Sequence, residues 1–314
     1  MNIWDNLPKP FFVLAPMEAV TDHVFRRVVN HAAPADLYFS EFTNATGWVH
    51  AGEKAVAGRL TIHKDEDYPL IAQIWCAEPE DIASLARHCK ELGYMGIDLN
   101  MGCPVKTAVK NSGGSAMIRQ PDLAAEMIAA AKTAGLPVSV KTRLGYSTVG
   151  EWRGWLGHLL KQDIAALTIH LRTKKEMSKV PAHWELAPEI VALRDELAPE
   201  TLVIGNGDIR DRQHGLQLID ETGMNGMMIG RGIFTNVFDF EDTPQEHSQR
   251  ELLGLLSMHL SLFEAAKTTR PYQTLKRFFK IYVRDWSGAH ELRNQLMETS
   301  SLDEARALID AHMP

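Results

Sequence analysis

The sequence predicts an α/β protein, a (β/α)8 TIM barrel followed by a small C-terminal helical domain. Eight short apolar or β-branched runs alternate with helical patterns over about 235 residues, close to the roughly 250 residues typical of such a barrel. The runs are almost continuously apolar, as expected for parallel strands that helices cover. After the eighth run the strand signals stop, and only helical spacing continues to the end of the chain.

The eight runs have the length and composition of buried parallel strands. In chain order they are residues 11–17, 37–42, 70–76, 96–102, 138–144, 166–172, 202–209 and 226–232. A doubly wound open sheet is the main alternative, but it would need about six strands and usually a glycine-rich turn after the first. Here Glu18 and Ala19 follow the first run, and no glycine does.

Helix signals occupy the segments between the runs. Pro79 with the acidic residues around it, and Pro121 before Asp122, indicate helix starts, and a third helix is predicted over 208–222, before Gly223. A polar, proline-containing linker covers 241–249. Helical spacing then recurs at 252–263, 271–282, 292–298 and 303–311. We therefore expect a catalytic barrel domain over residues 1–240 and a helical domain over 241–314.

Composition narrows the class of protein. The chain has 314 residues, of which 45% are hydrophobic and 23% charged, and a net charge of −7, which argues against a general nucleic-acid binder. It has neither a secretory signal nor an apolar run of roughly 20 residues, so we expect a cytoplasmic protein outside the membrane. We also expect a monomer. Cys76, Cys89 and Cys103 form no CxxC pair, and neither a disulfide framework nor a metal site is expected.

Polar side chains concentrate at the C-terminal ends of the predicted strands, where barrel enzymes carry out chemistry. They are Gln73, Asp98, Asn100, Lys141, Arg143, His170 and Arg172, with Cys103 just beyond the fourth strand. Each one alone has a structural explanation, such as a lysine paired with an acid or a satisfied core histidine. Because buried charges are rare and costly, their convergence predicts a functional pocket.

The last two predicted strands end in glycine-rich segments, Gly205-Asn206-Gly207-Asp208 and Gly230-Arg231-Gly232. Barrels often bind phosphate at these two positions, and glycine allows the backbone to approach the ligand closely. Lys141 and His170 would lie over the ring system of that ligand, and the amide of Gln73 can both donate and accept at its edge. We interpret the ligand as FMN, since the chain has no GxGxxG turn for a dinucleotide.

At this point the motifs resemble those of the tRNA-dihydrouridine synthases, in the same order, over residues 11–238, and the helical tail corresponds to that family's C-terminal domain. The matching segments are Ala15-Pro16-Met17, Ser40-Glu41-Phe42, Gln73, Asp98-Leu99-Asn100-Met101-Gly102-Cys103-Pro104-Val105, Lys106, Gly113-Gly114-Ser115-Ala116, Val140-Lys141-Thr142-Arg143, His170, Gly205-Asn206-Gly207-Asp208 and Ile229-Gly230-Arg231-Gly232. Two positions depart from the family pattern: Ala19 stands where glycine is common, and Leu171 follows His170 in place of a glycine.

The resemblance implies a flavin enzyme that reduces the C5–C6 double bond of particular uridines in tRNA. Reduced FMN would deliver hydride to C6, Cys103 would deliver a proton to C5, Asn100 would hold the uracil, and NADPH would bind transiently as electron donor. A thiol suits the acid role because its reference pKa of about 8.5 keeps it protonated at neutral pH. FMN would be bound by Pro16, Met17, Glu18, Gln73, Lys141, His170, Asn206, Gly207, Asp208, Gly230 and Arg231.

A uridine inside folded tRNA must be extruded to reach such a pocket. The tail segment 267–284 carries six cations and no acid, and Lys276 and Lys280 are predicted to share a helix face at i,i+4. Arg143 and Arg172 are expected to reach the RNA from the barrel rim. A solvated helix face is the plain alternative for the tail.

Two other functions remain open from the sequence. Another FMN barrel, acting on a free pyrimidine or small molecule, would share the phosphate loops but would not explain the basic tail. A tRNA-binding barrel that has lost its flavin is a non-enzymatic alternative. The presence of Gln73, Cys103, Lys141 and His170 argues against it.

Overall fold

A closed ring of parallel strands forms the centre of the molecule. The computed structural model describes residues 2–56, 58–268 and 270–314. Each of the eight predicted runs contains one strand, and the short β3 was not predicted. The strands are β1 Phe11–Leu14, β2 Tyr38–Phe39, β3 Thr43–Asn44, β4 Leu70–Trp75, β5 Ile97–Asn100, β6 Val138–Arg143, β7 Ala166–His170, β8 Leu202–Asn206 and β9 Gly226–Ile229.

The strand order is β1-β9-β8-β7-β6-β5-β4-β2, and all the pairings are parallel. A parallel bridge between Val13 and Leu37 joins the two ends of this order. The Leu14 N–H donates to the Leu37 carbonyl at 3.2 Å, which adds to the closure. β3 pairs with β4 beyond the end of β2. The predicted barrel is therefore confirmed, and the open doubly wound sheet is excluded.

Helices follow the strands around the outside of the ring. The α-helices are α1 His23–Ala32, α2 Ala45–Ala51, α3 Glu53–Val56, α4 Pro79–Leu92, α5 Lys106–Lys110, α6 Pro121–Lys132, α7 Trp152–Leu160, α8 Ala187–Leu197, α9 Arg212–Thr222, α10 Gln249–Ala265, α11 Phe279–Tyr282, α12 Ala289–Glu298 and α13 Leu302–His312. Pro79 and Pro121 begin their helices as predicted. α9 begins later than expected because the Asp211 side chain caps it by accepting from the His214 N–H.

The N-terminal end of the barrel is plugged with apolar side chains. The 3-10 helix Ile3–Asn6 places Trp4 there, and its side chain is 1% exposed. The Trp4 ring centroid lies 6.2 Å from that of Phe11 and 6.5 Å from that of Phe39. The plug closes this end, so that polar residues inside the barrel face the C-terminal end of the strands.

The helices after residue 248 pack against α1. The ring of Phe278 lies 4.8 Å from that of Phe25, and His259 stacks on Phe25 at 5.7 Å. The buried His259 Nδ1 and the Tyr282 hydroxyl are 2.9 Å apart. No helix or strand occurs in the described chain between residues 234 and 249. We propose that the barrel domain ends there, at residue 240, and that residues 241–314 form the helical domain.

The predicted basic helix face in the tail is wrong. Residues Tyr272–Phe278 form a 3-10 helix, and only α11 continues it as an α-helix. A 3-10 helix has three residues per turn, so positions i and i+4 do not share a face. The Lys276 Nζ donates to the Met297 carbonyl at 2.6 Å, whereas the Lys280 Nζ lies 5.6 Å from the ring centroid of Phe234. The two lysines contact different parts of the fold.

Two ion pairs of Arg270 join the tail to the loops that follow β1 and β2. Arg270 donates to Asp22 at 2.9 Å and to the fully buried Glu41 at 2.5 Å. Glu41 also accepts from the N–H of Ala19, which has a left-handed φ of 57°. Arg277 donates to the Ala19 carbonyl at 3.2 Å. The tail therefore stabilises a backbone conformation that glycine adopts more easily than alanine does.

We expect Arg270→Ala to lower the free energy of unfolding by about 3 kcal/mol, because it leaves Glu41 buried without its cation. Chemical denaturation followed by circular dichroism measures the change. The double variant Arg270→Ala/Glu41→Gln should recover part of the loss, since glutamine keeps an acceptor for the Ala19 N–H without a buried charge. A single variant as stable as the parent would contradict this role for the ion pair.

Candidate active site

The C-terminal end of the barrel opens into a cavity of about 780 Å³, within the ordinary size of small-molecule sites. The ends of β1, β6, β7, β8 and β9 line it. Of the residues predicted from the sequence, the lining includes Pro16, Met17, Lys141, Arg143, His170, Asn206, Gly207, Asp208, Gly230 and Arg231.

The remaining predicted residues lie in three other places. Glu18 is exposed, and its carboxylate accepts from Arg59 at 3.0 Å. Lys276 and Lys280 lie on the tail. Gln73, Asn100, Cys103 and Arg172 belong to hydrogen-bonded groups beside the cavity.

A chain of buried hydrogen bonds crosses the barrel interior and ends at Cys103. Ser139 Oγ and Gln73 Nε2 each donate to the carboxylate of Asp98, both at 2.6 Å. The Asn100 Nδ2 donates to Gln73 Oε1 at 3.0 Å, and the Asn100 Oδ1 accepts from the Cys103 N–H at 2.9 Å. The strand register places Gln73, Asp98 and Ser139 side by side. This chain fixes the orientation of both amides and of the backbone that carries the thiol.

Asp98 is the centre of this chain. Complete burial raises the pKa of Asp98 to about 6, against the hydrogen bonds from Ser139 and Gln73 and the charge of Lys141, which lower it. From the sequence, Asp98 has a place at a strand end but no assigned role. The available signal was Asn100, a second polar residue two positions further along the same predicted strand.

We expect Asp98→Ala to destabilise the protein by about 3 kcal/mol, because it leaves the buried Ser139 hydroxyl and Gln73 amide without their acceptor. Asp98→Asn keeps one acceptor oxygen and should cost less. Thermal unfolding of the parent and the two variants measures the order of their stabilities. Equal midpoints for Asp98→Ala and the parent would show that the chain does not stabilise the barrel.

Lys141 brings a positive charge into the cavity. Its Nζ donates to Asn206 Oδ1 at 3.2 Å, and Asn206 Nδ2 in turn donates to the Met228 carbonyl at 2.8 Å. Burial, together with the nearby charge of Arg143, lowers the pKa of Lys141 to about 8. The ammonium is therefore mostly charged at neutral pH. An ammonium has three N–H donors, and one is used in the described contacts, so two can serve a ligand.

His170 is a neutral imidazole in this cavity. Burial and the charges of Arg143, Lys141 and Arg172 all lower the pKa of His170. Its Nε2 lies 3.1 Å from the Arg172 Nη1, which can only donate. The ring proton therefore belongs on Nδ1, which becomes a donor. Gly207 has a φ of 125°, and a Cβ there would lie 3.0 Å from the Ala182 Cβ and 3.2 Å from the His170 ring.

Arg143 and Arg172 do not extend from the rim as predicted. They are 7% and 2% exposed, respectively. Arg143 donates to the Gly102 carbonyl at 2.8 Å and to the Met177 carbonyl at 2.9 Å. Arg172 donates to the Val180 carbonyl at 2.6 Å and pairs with Asp208. Both guanidinium groups therefore brace the backbone of the cavity wall.

Asp208 is held ionised by this arrangement. Partial burial works to raise its pKa, but the hydrogen bonds from Arg172 and from the Ala182 N–H, with the charge of Arg231, lower it overall. The Nη2 of Arg231 lies 3.6 Å from Asp208 Oδ1, and its side chain is 67% exposed. Arg231 is therefore positioned at the cavity edge with most of its donors accessible.

Cys103 follows β5 and is partly buried. Burial raises the pKa of the Cys103 thiol, and the charge of Glu18 adds to this, whereas Lys141 and Arg143 oppose it. The thiol is therefore protonated at neutral pH. Gly114 has a φ of 56°, and a Cβ there would lie 2.6 Å from the Cys103 carbonyl. The Ser115 N–H donates to that same carbonyl at 2.9 Å, which explains why glycine is needed beside the thiol.

The donors of the cavity fit a phosphate-bearing flavin. They are the Lys141 ammonium, the Nδ1–H of His170 and the accessible guanidinium of Arg231, which complement an anion and a polar ring edge. At Gly230 an added Cβ would meet nothing nearer than the Ala15 Cβ at 3.6 Å, so the backbone there is open to a ligand. Over the described residues, no three His, Cys, Asp or Glu side chains are grouped as metal ligands.

The model of the dihydrouridine synthase family matches residues 13–313 of this chain. The chain belongs to the dihydrouridine synthase family. A probable tRNA-dihydrouridine synthase 2 of Bacillus subtilis is 58% identical over 312 residues, 98% of this chain and 96% of the relative. Probable tRNA-dihydrouridine synthases of Staphylococcus epidermidis (RP62A) and Staphylococcus aureus (Mu50) are 57% and 56% identical, each over 98% of this chain and 95% of the relative.

The family match extends through the helical tail, so the tail is part of this dihydrouridine synthase. It also confirms the resemblance found in the sequence motifs. No helix among the described residues has the length and apolarity needed to cross a membrane. Sequence reasoning missed the role of Glu41, which was quoted in a motif without an assignment. Its signal was an acidic residue inside a predicted buried strand, residues 37–42.

Proposed function

We propose that this dihydrouridine synthase acts in the cytoplasm with FMN bound in the cavity and NADPH as a transient electron donor. The enzyme reduces the C5–C6 double bond of specific uridines in tRNA. The observation that carries the proposal is the placement of a protonated thiol beside a cation-lined cavity. Cys103 follows Gly102, whose carbonyl accepts from the cavity-lining Arg143.

The residues proposed to hold FMN fall into two groups. The phosphate end would be bound at the glycine-rich ends of β8 and β9 by Asn206, Gly207, Gly230 and Arg231. Asp208 would contribute its backbone and, through its ionised carboxylate, the position of Arg231. The ring end would be bound by Pro16, Met17, Lys141 and His170, which line the cavity. Glu18 and Gln73, which the sequence motifs add to this set, lie outside the lining, where Glu18 pairs with Arg59 and the Gln73 amide bonds to Asp98 and Asn100. When bound, FMN supplies a hydride to C6 of the uracil.

Cys103 is proposed to donate the proton of its Sγ to C5. The raised pKa of Cys103 keeps the thiol protonated until the proton is transferred to C5. Asn100 Oδ1 holds the Cys103 N–H and also accepts from the Gly102 N–H at 3.2 Å. Asn100 Nδ2 donates one of its two hydrogens to Gln73, so the other can bind a uracil carbonyl. Asn100 would thus position both the Cys103 thiol and the uracil that receives the proton of that thiol.

Lys141 and His170 are proposed to act on charge and hydrogen bonding at the ring. The Lys141 ammonium would stabilise negative charge on a bound flavin, and the Nδ1–H of His170 would be available to it as a hydrogen-bond donor. A reductase for free pyrimidines is not favoured, because the family match includes the helical tail as far as residue 313.

Purified protein tests the proposal. We expect a yellow protein with a flavin spectrum, whose bound flavin NADPH reduces and unmodified tRNA reoxidises without oxygen. Free uracil at the same concentration should leave the flavin reduced. A colourless protein that cannot be loaded with FMN, or reoxidation by free uracil as fast as by tRNA, would contradict it.

A further inference from the structure

The basic side chains of the tail are largely engaged within the protein. Arg270 pairs with Asp22 and Glu41, and Arg277 donates to the Ala19 carbonyl. Lys276 donates to the Met297 carbonyl. Arg270 and Arg277 hold the tail on the barrel, and Lys276 bonds within the tail. Using these groups to bind phosphate would require breaking those bonds. A second basic surface, beside the cavity, forms no such bonds among the residues that the structure describes.

We define the rim patch as Arg119, Tyr146, Lys174, Lys175 and Lys179. These residues come from the segments that follow β5, β6 and β7, so they lie at the C-terminal end of the barrel. Arg119, Lys175 and Lys179 are exposed, and Tyr146 and Lys174 are half-buried. The guanidinium carbon of Arg119 lies 5.1 Å from the Tyr146 ring centroid, and the Lys174 Nζ lies 4.8 Å from it.

None of the four cations in the rim patch forms an ion pair within the described parts of the chain. Two of them are brought to the same aromatic ring, where like charges repel each other. An anion bound between them would remove that repulsion. The chain has a net charge of −7, but the rim patch is positively charged and can attract polyanions locally.

The backbone of the rim patch is fixed before any ligand binds. The Lys174 N–H donates to the Gly145 carbonyl at 2.9 Å, and the Lys175 N–H donates to the Tyr146 carbonyl at 3.0 Å. Glu176, the acid within this loop, accepts from the Thr173 N–H at 2.7 Å. A pre-ordered loop loses little conformational entropy when it binds a partner.

The rim patch adjoins the proposed active site. Arg143, which lines the cavity, donates to the carbonyls of Thr173 and Met177 on either side of Lys174 and Lys175. Ser178, next to Lys179, lines the cavity itself. A polyanion on the rim patch would therefore lie beside the cavity mouth.

We propose that the rim patch binds the phosphate backbone of tRNA next to the nucleotide whose uracil enters the cavity. This inference rests on the proposed function, and it adds a phosphate-binding surface on the barrel to the one that the sequence predicts on the tail. Phosphates are bound by the four cations Arg119, Lys174, Lys175 and Lys179. The Tyr146 ring holds two of these cations, Arg119 and Lys174, at a fixed spacing.

Salt-dependent binding of unmodified tRNA tests the proposal on the FMN-loaded full-length protein. We expect Lys174→Glu/Lys175→Glu to weaken binding at least about tenfold, and to lower the slope of log K against log salt by about 1 for each phosphate that the variant no longer neutralises. The milder Lys174→Gln/Lys175→Gln should shift both quantities in the same direction. The flavin spectrum and thermal midpoint establish that each variant is folded.

Lys161→Glu is the matched control. Lys161 is exposed at the end of α7, just before β7, and therefore at the opposite end of the barrel. It should leave affinity and salt slope unchanged. Suppose that the parent protein binds and reduces tRNA, and that both double variants keep its affinity and salt slope. This result would overturn the rim-patch inference and leave the proposed function standing. A parent protein that neither binds nor reduces tRNA would overturn the proposed function as well.

Discussion

Cys103→Ala is expected to keep bound flavin and its reduction by NADPH, but to form dihydrouridine at least about 100-fold more slowly. Alanine removes the Sγ proton while leaving the Cys103 N–H bond to Asn100 in place. Single-turnover reoxidation of the reduced flavin by tRNA separates this loss from any change in the NADPH step. We expect the oxidative half-reaction alone to slow.

Cys76→Ala is the matched control, since Cys76 is a buried thiol at the end of β4, with its Sγ at the Glu78 carbonyl. It should leave both half-reactions close to those of the parent, even if stability falls. Reoxidation of Cys103→Ala at the parent rate would remove the acid role from this residue.

Lys141→Met is expected to weaken flavin retention and to slow flavin reduction by NADPH about 100-fold or more, because it removes a preorganised charge from the cavity. The methionine is similar in length and leaves the strand intact. The Asn206 Oδ1 loses its donor as well. Lys132→Met is a suitable control, since the Lys132 Nζ pairs with Asp163 on the surface. Equal flavin content and reduction rate in Lys141→Met and the parent would contradict this role.

The pH dependence of flavin reduction follows from the charge of Lys141. Because the pKa of Lys141 is lowered to about 8, its charge is present below that pH and is lost above it. Flavin reduction should therefore decline as the pH rises through about 8. Lys141→Arg should carry its charge to higher pH and move the decline upward. The Cys103 thiol has a raised pKa, so it should remain an acid while Lys141 deprotonates.

The barrel could be predicted from the sequence because its strands are covered on both faces and read as apolar runs. β6 and β7 were predicted within two residues of their observed ends. β3 could not be predicted, since two residues that pair with β4 carry no periodicity. The Trp4 plug rests on a four-residue 3-10 helix, which also lacks a pattern.

The site residues that alternate along one strand were the easiest to predict. The period of two placed Lys141 and Arg143 on the same face, as the shared cavity lining bears out. The direction of Arg143 and Arg172 depends on carbonyls at Met177 and Val180, which a strand pattern does not locate. The spacing of Lys276 and Lys280 fitted an α-helix, and sequence alone could not distinguish it from the observed 3-10 helix.

The most direct test of the central claim is mass spectrometry of nucleosides from tRNA that lacks dihydrouridine, after incubation with the FMN-loaded protein and NADPH. We predict that uridine at specific positions gains two hydrogens, giving dihydrouridine, and that the gain requires NADPH. Unchanged uridine in a protein that holds flavin and consumes NADPH would contradict the account.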